Sequence, residues 1–168
     1  MFGKFLKKFS RTFQIRNLKN TNKHSFYSFH NQVYRDFLME IMQALEPIQI
    51  EKNTTLFAEQ DEITEVYFLM NGIYEIGFTA NLEKFFPMRY QHYSVIGAYA
   101  VTYLKRSAFI YRTFSFAEGY FVRRKYWKII MDRNDQNVIS EFKLVILDEF
   151  ENKIRRKMNY FKLIELKK

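Results

Sequence analysis

Val66-Tyr67-Phe68-Leu69-Met70-Asn71-Gly72-Ile73-Tyr74-Glu75-Ile76-Gly77-Phe78 is a dense apolar run interrupted by a single turn dipeptide. Val66–Met70 reads as a buried strand. Asn71-Gly72 reads as a tight hairpin turn, because both residues tolerate positive φ. Ile73–Phe78 then returns as the paired strand. Working towards the N-terminus, Gln60-Asp61-Glu62 is a polar turn, Thr54–Phe57 a short strand, and Ile48-Gln49-Ile50 alternates with period two. Before them the period is helical: Val33, Phe37, Leu38, Ile41, Met42 and Leu45 share a face, and Pro47 ends the helix.

Towards the C-terminus, Met88–Tyr93, Ala108–Phe114 and Tyr120–Arg123 have strand character, with Gly97 and Gly119 as punctuation. The helical period resumes at Arg124. Lys125–Arg133 is a short helix with Trp127, Ile130 and Met131 on its core face, and Asp132–Asn137 breaks it. Val138, Phe142, Val145, Ile146, Phe150, Ile154 and Met158 mark one long helix after that. The plan is α+β: a helix over 31–46, an antiparallel β-roll of the jelly-roll type over 48–123 with about eight strands, and C-terminal helices over 124–166. Residues 31–168 form the domain. Residues 1–30 form a basic amphipathic arm and connector.

The 168 residues suffice for one domain with a real core, and 48% of them are hydrophobic, which excludes a disordered chain. The absence of cysteine excludes disulfides, thiolate metal sites and cysteine nucleophiles. The net charge of +9 belongs to the two ends. Residues 1–35 carry eight Lys/Arg and no acid, and residues 151–168 carry seven against two acids. The intervening part has 12 basic and 16 acidic residues, so a nucleic-acid-binding face across the domain is not expected. In residues 1–13, Phe2, Phe5, Leu6, Phe9 and Phe13 repeat at helical spacing between Lys and Arg. Packing on protein is the first reading of that helix, membrane-surface contact the second, and a mitochondrial presequence the third.

Leu56-Phe57-Ala58-Glu59-Gln60-Asp61-Glu62, Val66-Tyr67-Phe68-Leu69-Met70-Asn71-Gly72 and Glu118-Gly119-Tyr120-Phe121-Val122-Arg123-Arg124-Lys125-Tyr126-Trp127 fall in the order found in the cyclic nucleotide-binding domain family, which this chain resembles over residues 33 to about 160. Gln60 stands where the family usually has a turn glycine. Within the family the chain looks most like the cytoplasmic domain of ciliate voltage-gated potassium channels. Phe109-Ile110-Tyr111-Arg112-Thr113, followed by Glu118-Gly119-Tyr120-Phe121, carries that likeness.

The resemblance implies a phosphate cassette: a glycine, a glutamate, a short helix, then arginine, a small residue and alanine. Amides and a guanidinium meet the cyclic phosphate, and the carboxylate accepts the ribose hydroxyl. Gly97 matches the glycine and Arg106-Ser107-Ala108 the arginine end, but Ala98 replaces the glutamate, and the stretch between is about one residue short. The missing carboxylate costs about 1.5–3 kcal/mol. Binding of cAMP or cGMP is therefore expected to be weak or absent, and Arg106 reads equally well as a solvated side chain. The resemblance also implies that the long helix closes over the pocket as a lid and passes its position to an effector.

That effector is expected to be a potassium channel or another membrane-protein subunit, placing the chain at the cytoplasmic face of a membrane. The alternative is a ligand-free roll acting as a structural subunit of a larger assembly, with a mitochondrial setting as one possibility. His24, His30 and His92 have no metal-ligand spacing, and no phosphate-gripping glycine loop or nucleophile motif is present, so neither a metal nor enzyme activity is expected. DNA binding is not expected either, because no helix-turn-helix follows the long helix before Lys168. Tyr74, Tyr99 and Tyr103 near the expected pocket read as packing residues.

Overall fold

The computed structural model describes residues 31–91 and 93–167. The amphipathic arm of residues 1–13, the connector after it, and the three histidines all lie outside the described residues. Helix α1 spans Gln32–Gln43, with the Asn31 side chain accepting from the Tyr34 amide as its N-cap. Eight strands follow: β1 Glu46–Ile50, β2 Thr55–Phe57, β3 Glu65–Asn71, β4 Tyr74–Ala80, β5 Glu83–Tyr90, β6 Ser94–Ile96, β7 Ile110–Thr113 and β8 Ala117–Arg123, with the short helix α2, Ala98–Thr102, between β6 and β7. Helices α3 (Arg124–Arg133) and α4 (Gln136–Asp148) come next. A π-helical stretch, Glu149–Arg155, carries α4 into α5 (Arg156–Glu165). The fold is the expected α+β roll with helices at both ends.

The strands make two antiparallel four-stranded sheets, in the orders β1-β8-β3-β6 and β2-β7-β4-β5. This corrects the reading of Asn71-Gly72. β3 does not pair with β4: β3 lies between β8 and β6, and β4 between β7 and β5. The dipeptide is the corner where the chain leaves one sheet for the other. The β7–β8 connection crosses beside it, held by the Ser115 hydroxyl accepting from the Ile73 amide at 2.9 Å and by the Phe114 amide donating to the Ile73 carbonyl at 2.8 Å. The β3–β4 ribbon is thus bent once and paired along its length with the β7–β8 ribbon, which closes the roll. Gly72 is required at the bend. Its φ is +97°, and a Cβ would stand 2.6 Å from the Ala117 Cβ. The true hairpin joins β4 and β5 through Asn81 and Leu82, both at positive φ.

Other boundaries moved as well. α1 ends at Gln43, and Pro47 sits in β1, where an edge strand tolerates its missing N–H. The buried face of α1 is Tyr34, Phe37, Leu38 and Ile41, whereas Val33 is exposed. The strand expected at 88–93 begins earlier and ends at Tyr90, the strand expected at 108–114 is confined to Ile110–Thr113, and β6 had no forecast. The core face of α3 is the forecast one, Trp127, Ile130 and Met131.

One continuous core joins the sheets and helices. Between the sheets, Phe57 of β2 packs on Tyr67 of β3 at 5.6 Å between ring centres. Outside the β1-β8-β3-β6 sheet, Phe68, Trp127, Phe142 and Phe37 form a chain of ring contacts that binds α1, α3 and α4 together. The Trp127 indole N–H donates to the Thr102 hydroxyl at 2.9 Å, fastening α3 to α2. Asp135 caps α4 by accepting from the Asn137 and Val138 amides.

Candidate functional site

α2 and the loop that follows it hold the cassette residues against the C-terminal helix. A cavity of about 470 Å³ opens there, and Gly97, Ala98, Arg106, Ser107 and Ala108 all lie on its wall. The opposite wall is the C-terminal helix, through Ile146, Glu149, Phe150, Lys153 and Ile154. The floor comes from the strands and includes Tyr74, Tyr90 and Tyr111. The volume falls within the range of small-molecule pockets.

Each cassette residue has a local reason for its place. Gly97 caps α2 at φ +87°, and a Cβ there would meet the Glu65 carbonyl oxygen at 2.7 Å. Ala98, the first residue of α2, is buried. The Arg106 guanidinium is exposed and donates from Nη1 to the Gln60 carbonyl at 2.9 Å. Ser107 is buried, and its hydroxyl donates to the Phe109 carbonyl at 2.6 Å. The Gln60 amide in turn donates to the Ser107 carbonyl, and the Ser107 amide to the Asp61 carbonyl. Gln60 itself is at φ +68°, the left-handed conformation that a glycine takes most readily. Hydrogen bonds from the cassette loop hold it there.

The helix wall is anchored by residues that sequence reasoning did not single out as a set. The Tyr103 hydroxyl donates to the Lys143 carbonyl at 2.8 Å, and the Tyr90 hydroxyl to the Lys153 carbonyl at 3.0 Å. Phe150 stacks on Tyr99 with ring centres 3.9 Å apart and planes 2° from parallel. It enters the cavity from the helix side and meets Phe109 at 6.2 Å. Tyr74 is buried in a stack with Tyr90, so all three tyrosines named from sequence pack against other rings or anchor the helix.

Further along, the Lys162 ammonium donates to Glu59 at 3.0 Å and lies 5.4 Å from the ring centres of both Phe78 and Phe109. Glu59 also accepts from the Thr79 amide at 2.9 Å. The turn that carries Arg106's partner Gln60 therefore also carries the partner of the far helix.

The electrostatics follow from burial. Burial raises the Tyr90 hydroxyl to about 12, with the Glu149 charge adding to it. Burial likewise pushes Tyr74 and Tyr111 upward, with neighbouring tyrosine charge as a further cause in both. These phenols stay neutral at ordinary pH, so the charge on the cavity wall comes from Arg106, Glu149 and Lys153. Burial raises Glu59, but the Lys162 and Thr79 hydrogen bonds outweigh it and hold the carboxyl below its usual range. On the outer face of the second sheet, Glu75 is buried between Arg89 and Arg112, whose guanidinium groups lie over Phe114 and Phe86. Among the described residues no cluster of His, Cys, Asp or Glu could hold a metal, and no helix is long and apolar enough to cross a membrane.

No family model and no curated protein sequence matches this chain. Solved structures do. The catabolite activator protein of Thermus thermophilus aligns over 79% of this chain and 62% of its own, at 9% identity and a TM-score of 0.60. The regulatory domain of Toxoplasma gondii PKA, solved with cAMP, aligns over 76% of this chain and 44% of its own, at 18% identity and a TM-score of 0.57. An EAL enzyme in its cAMP-bound form aligns over 70% and 32%, at 16% identity and a TM-score of 0.53. The chain spans less than two thirds of each of these structures. At these identities the likeness establishes the fold alone: the chain shares its β-roll with these three structures.

Proposed function

We propose that this chain is a regulatory module without enzymatic activity of its own, in which the cavity takes a cyclic nucleotide weakly and the C-terminal helix is the moving output. One observation carries the reading: the cassette and the helix face each other across a single cavity. A phosphate beside Arg106 would replace the Gln60 carbonyl as the guanidinium's partner, exchanging a neutral acceptor for an anionic one. Only a ligand that binds better with the helix docked shifts the helix, and tight binding alone shifts nothing. The effector we favour is a membrane-protein subunit, a potassium channel first, which would place the module at the cytoplasmic face of a membrane.

A second reading has its own support. The Phe150–Tyr99 stack and the internal use of the Ser107 hydroxyl fill part of the cavity and satisfy part of the cassette from within the protein. A roll built this way serves as a ligand-free structural subunit. Calorimetric titration with cAMP and with cGMP separates the readings. The regulatory reading expects weak binding that Arg106→Ala abolishes. Binding unaffected by Arg106→Ala would mean the phosphate sits elsewhere, and no binding by either nucleotide would leave the structural reading.

A further inference from the structure

The last turns of the chain present a surface that neither the cavity nor the core uses. In α5, Met158 is fully buried and Phe161, Lys162 and Glu165 are partly covered by the roll. The other side of the same helix and of the turn that ends it is open: Tyr160 is 63% exposed, Leu163 59% and the C-cap Leu166 64%, with Ile164 beside them at 37%. Arg156, Lys157 and Lys167 are exposed on that side too. None of the three forms an ion pair among the described residues. The two acids of this region are turned to other work, Glu151 paired with Arg155 and Glu165 on the covered side. One face therefore mixes four large apolar side chains with three cations and no carboxylate.

We propose that this face of α5 docks on an anionic lipid surface. The interleaving of charge and apolar side chain favours lipid over a protein groove. In a protein groove Arg156, Lys157 and Lys167 would be desolvated together with the leucines, at a cost that each would need a buried acid to offset. At a bilayer interface their long stems lie along the apolar boundary while the charged ends reach phosphate and carboxylate headgroups. Tyr160 suits the same boundary, with an apolar ring and a polar tip. The proposal does not depend on the reading of the cavity, since none of these residues lines it.

The chain has no cysteine, so Leu163→Cys creates a single attachment point for an environment-sensitive fluorophore. Lys52→Cys, on the β1–β2 turn, provides a reference position. The full chain is mixed with phosphatidylcholine vesicles, with and without phosphatidylserine. The expected result is a blue shift at position 163 only with phosphatidylserine, reversed by salt, and none at position 52. Tyr160→Ser with Leu166→Ser keeps the charge and should weaken vesicle binding by roughly tenfold or more. Because residues 1–35, with eight Lys/Arg and no acid, would by charge alone also draw the chain to anionic vesicles, binding with no change at position 163 would overturn the proposal. So would a blue shift at 163 that grows with protein concentration without vesicles, which would assign the face to a second copy of the chain. Absence of vesicle binding would overturn it as well.

Discussion

Residues 138–146 of the C-terminal helix meet the rest of the molecule through Val138, Ile139, Phe142 and Ile146, all buried among α1, α3 and the roll. Residues 150–165 meet it differently. Their buried apolar anchors are Phe150 and Met158, Ile154 and Phe161 pack on the core only in part, and the polar attachments are a tyrosine hydroxyl on a carbonyl, an ion pair and two cation–ring contacts. The first half is part of the core. The second half is clasped to it. An element held by few apolar contacts and solvent-accessible polar ones opens locally at low cost, while a core element opens only with the whole fold. The comparison therefore locates the movable part of the molecule from Phe150 onward, where the π-helical stretch supplies Phe150, Lys153 and Ile154 to the cavity wall and α5 follows beyond the cavity.

The largest expected effect is on the core half. Phe142→Ala removes a ring that touches both Phe37 and Trp127, and should cost about 3–5 kcal/mol of global stability in chemical denaturation. Ala98→Glu tests the cavity that the clasped half covers. If position 98 reaches the ribose, the restored acceptor should tighten cyclic nucleotide binding by about one to two decades in calorimetry. Lys162→Met keeps the stem of the side chain and removes its charge. It should leave global stability within about 1 kcal/mol of the native value, while amide exchange over 156–165 accelerates.

A smaller effect comes from acid. The Glu59 carboxyl titrates lower in the folded protein than in the unfolded chain, so its clasp contributes fully above the unfolded value near 4.3. That contribution is lost as pH falls through the lowered folded value. A fluorophore on the distal helix should therefore report loosening only below about pH 4, and in Glu59→Gln the acid-dependent step should vanish.

Some of this was legible in the sequence for physical reasons that are easy to name. The period of 3.6 exposed the Trp127, Ile130 and Met131 face, and the apolar positions from Val138 to Met158 followed the helix through its π-helical stretch. Strand period was also legible, but strand partnership was not. Alternation around Asn71-Gly72 marks two strands and a sharp bend without saying whether they pair with each other, and the pairing was settled by β8, about 50 residues away. Asn81-Leu82 gave no turn signal, because a fully exposed leucine at φ 67° is not a residue that turns favour.

The five cassette residues came from resemblance, and the cavity gathers them on one wall. What holds the C-terminal helix, namely Tyr90 on Lys153, Tyr99 on Phe150 and Glu59 on Lys162, joins residues about 50 to 100 positions apart and leaves no local trace.

Hydrogen exchange along the C-terminal helix tests the two-part account most directly. In the free protein, amides of 138–146 should exchange only through global unfolding, and those of 150–165 faster, through local opening. Saturating cyclic nucleotide should slow the second set more than the first. A single rate shared by both halves, changing together under denaturant, would contradict the account, because the helix would then be one rigid wall and not a lid.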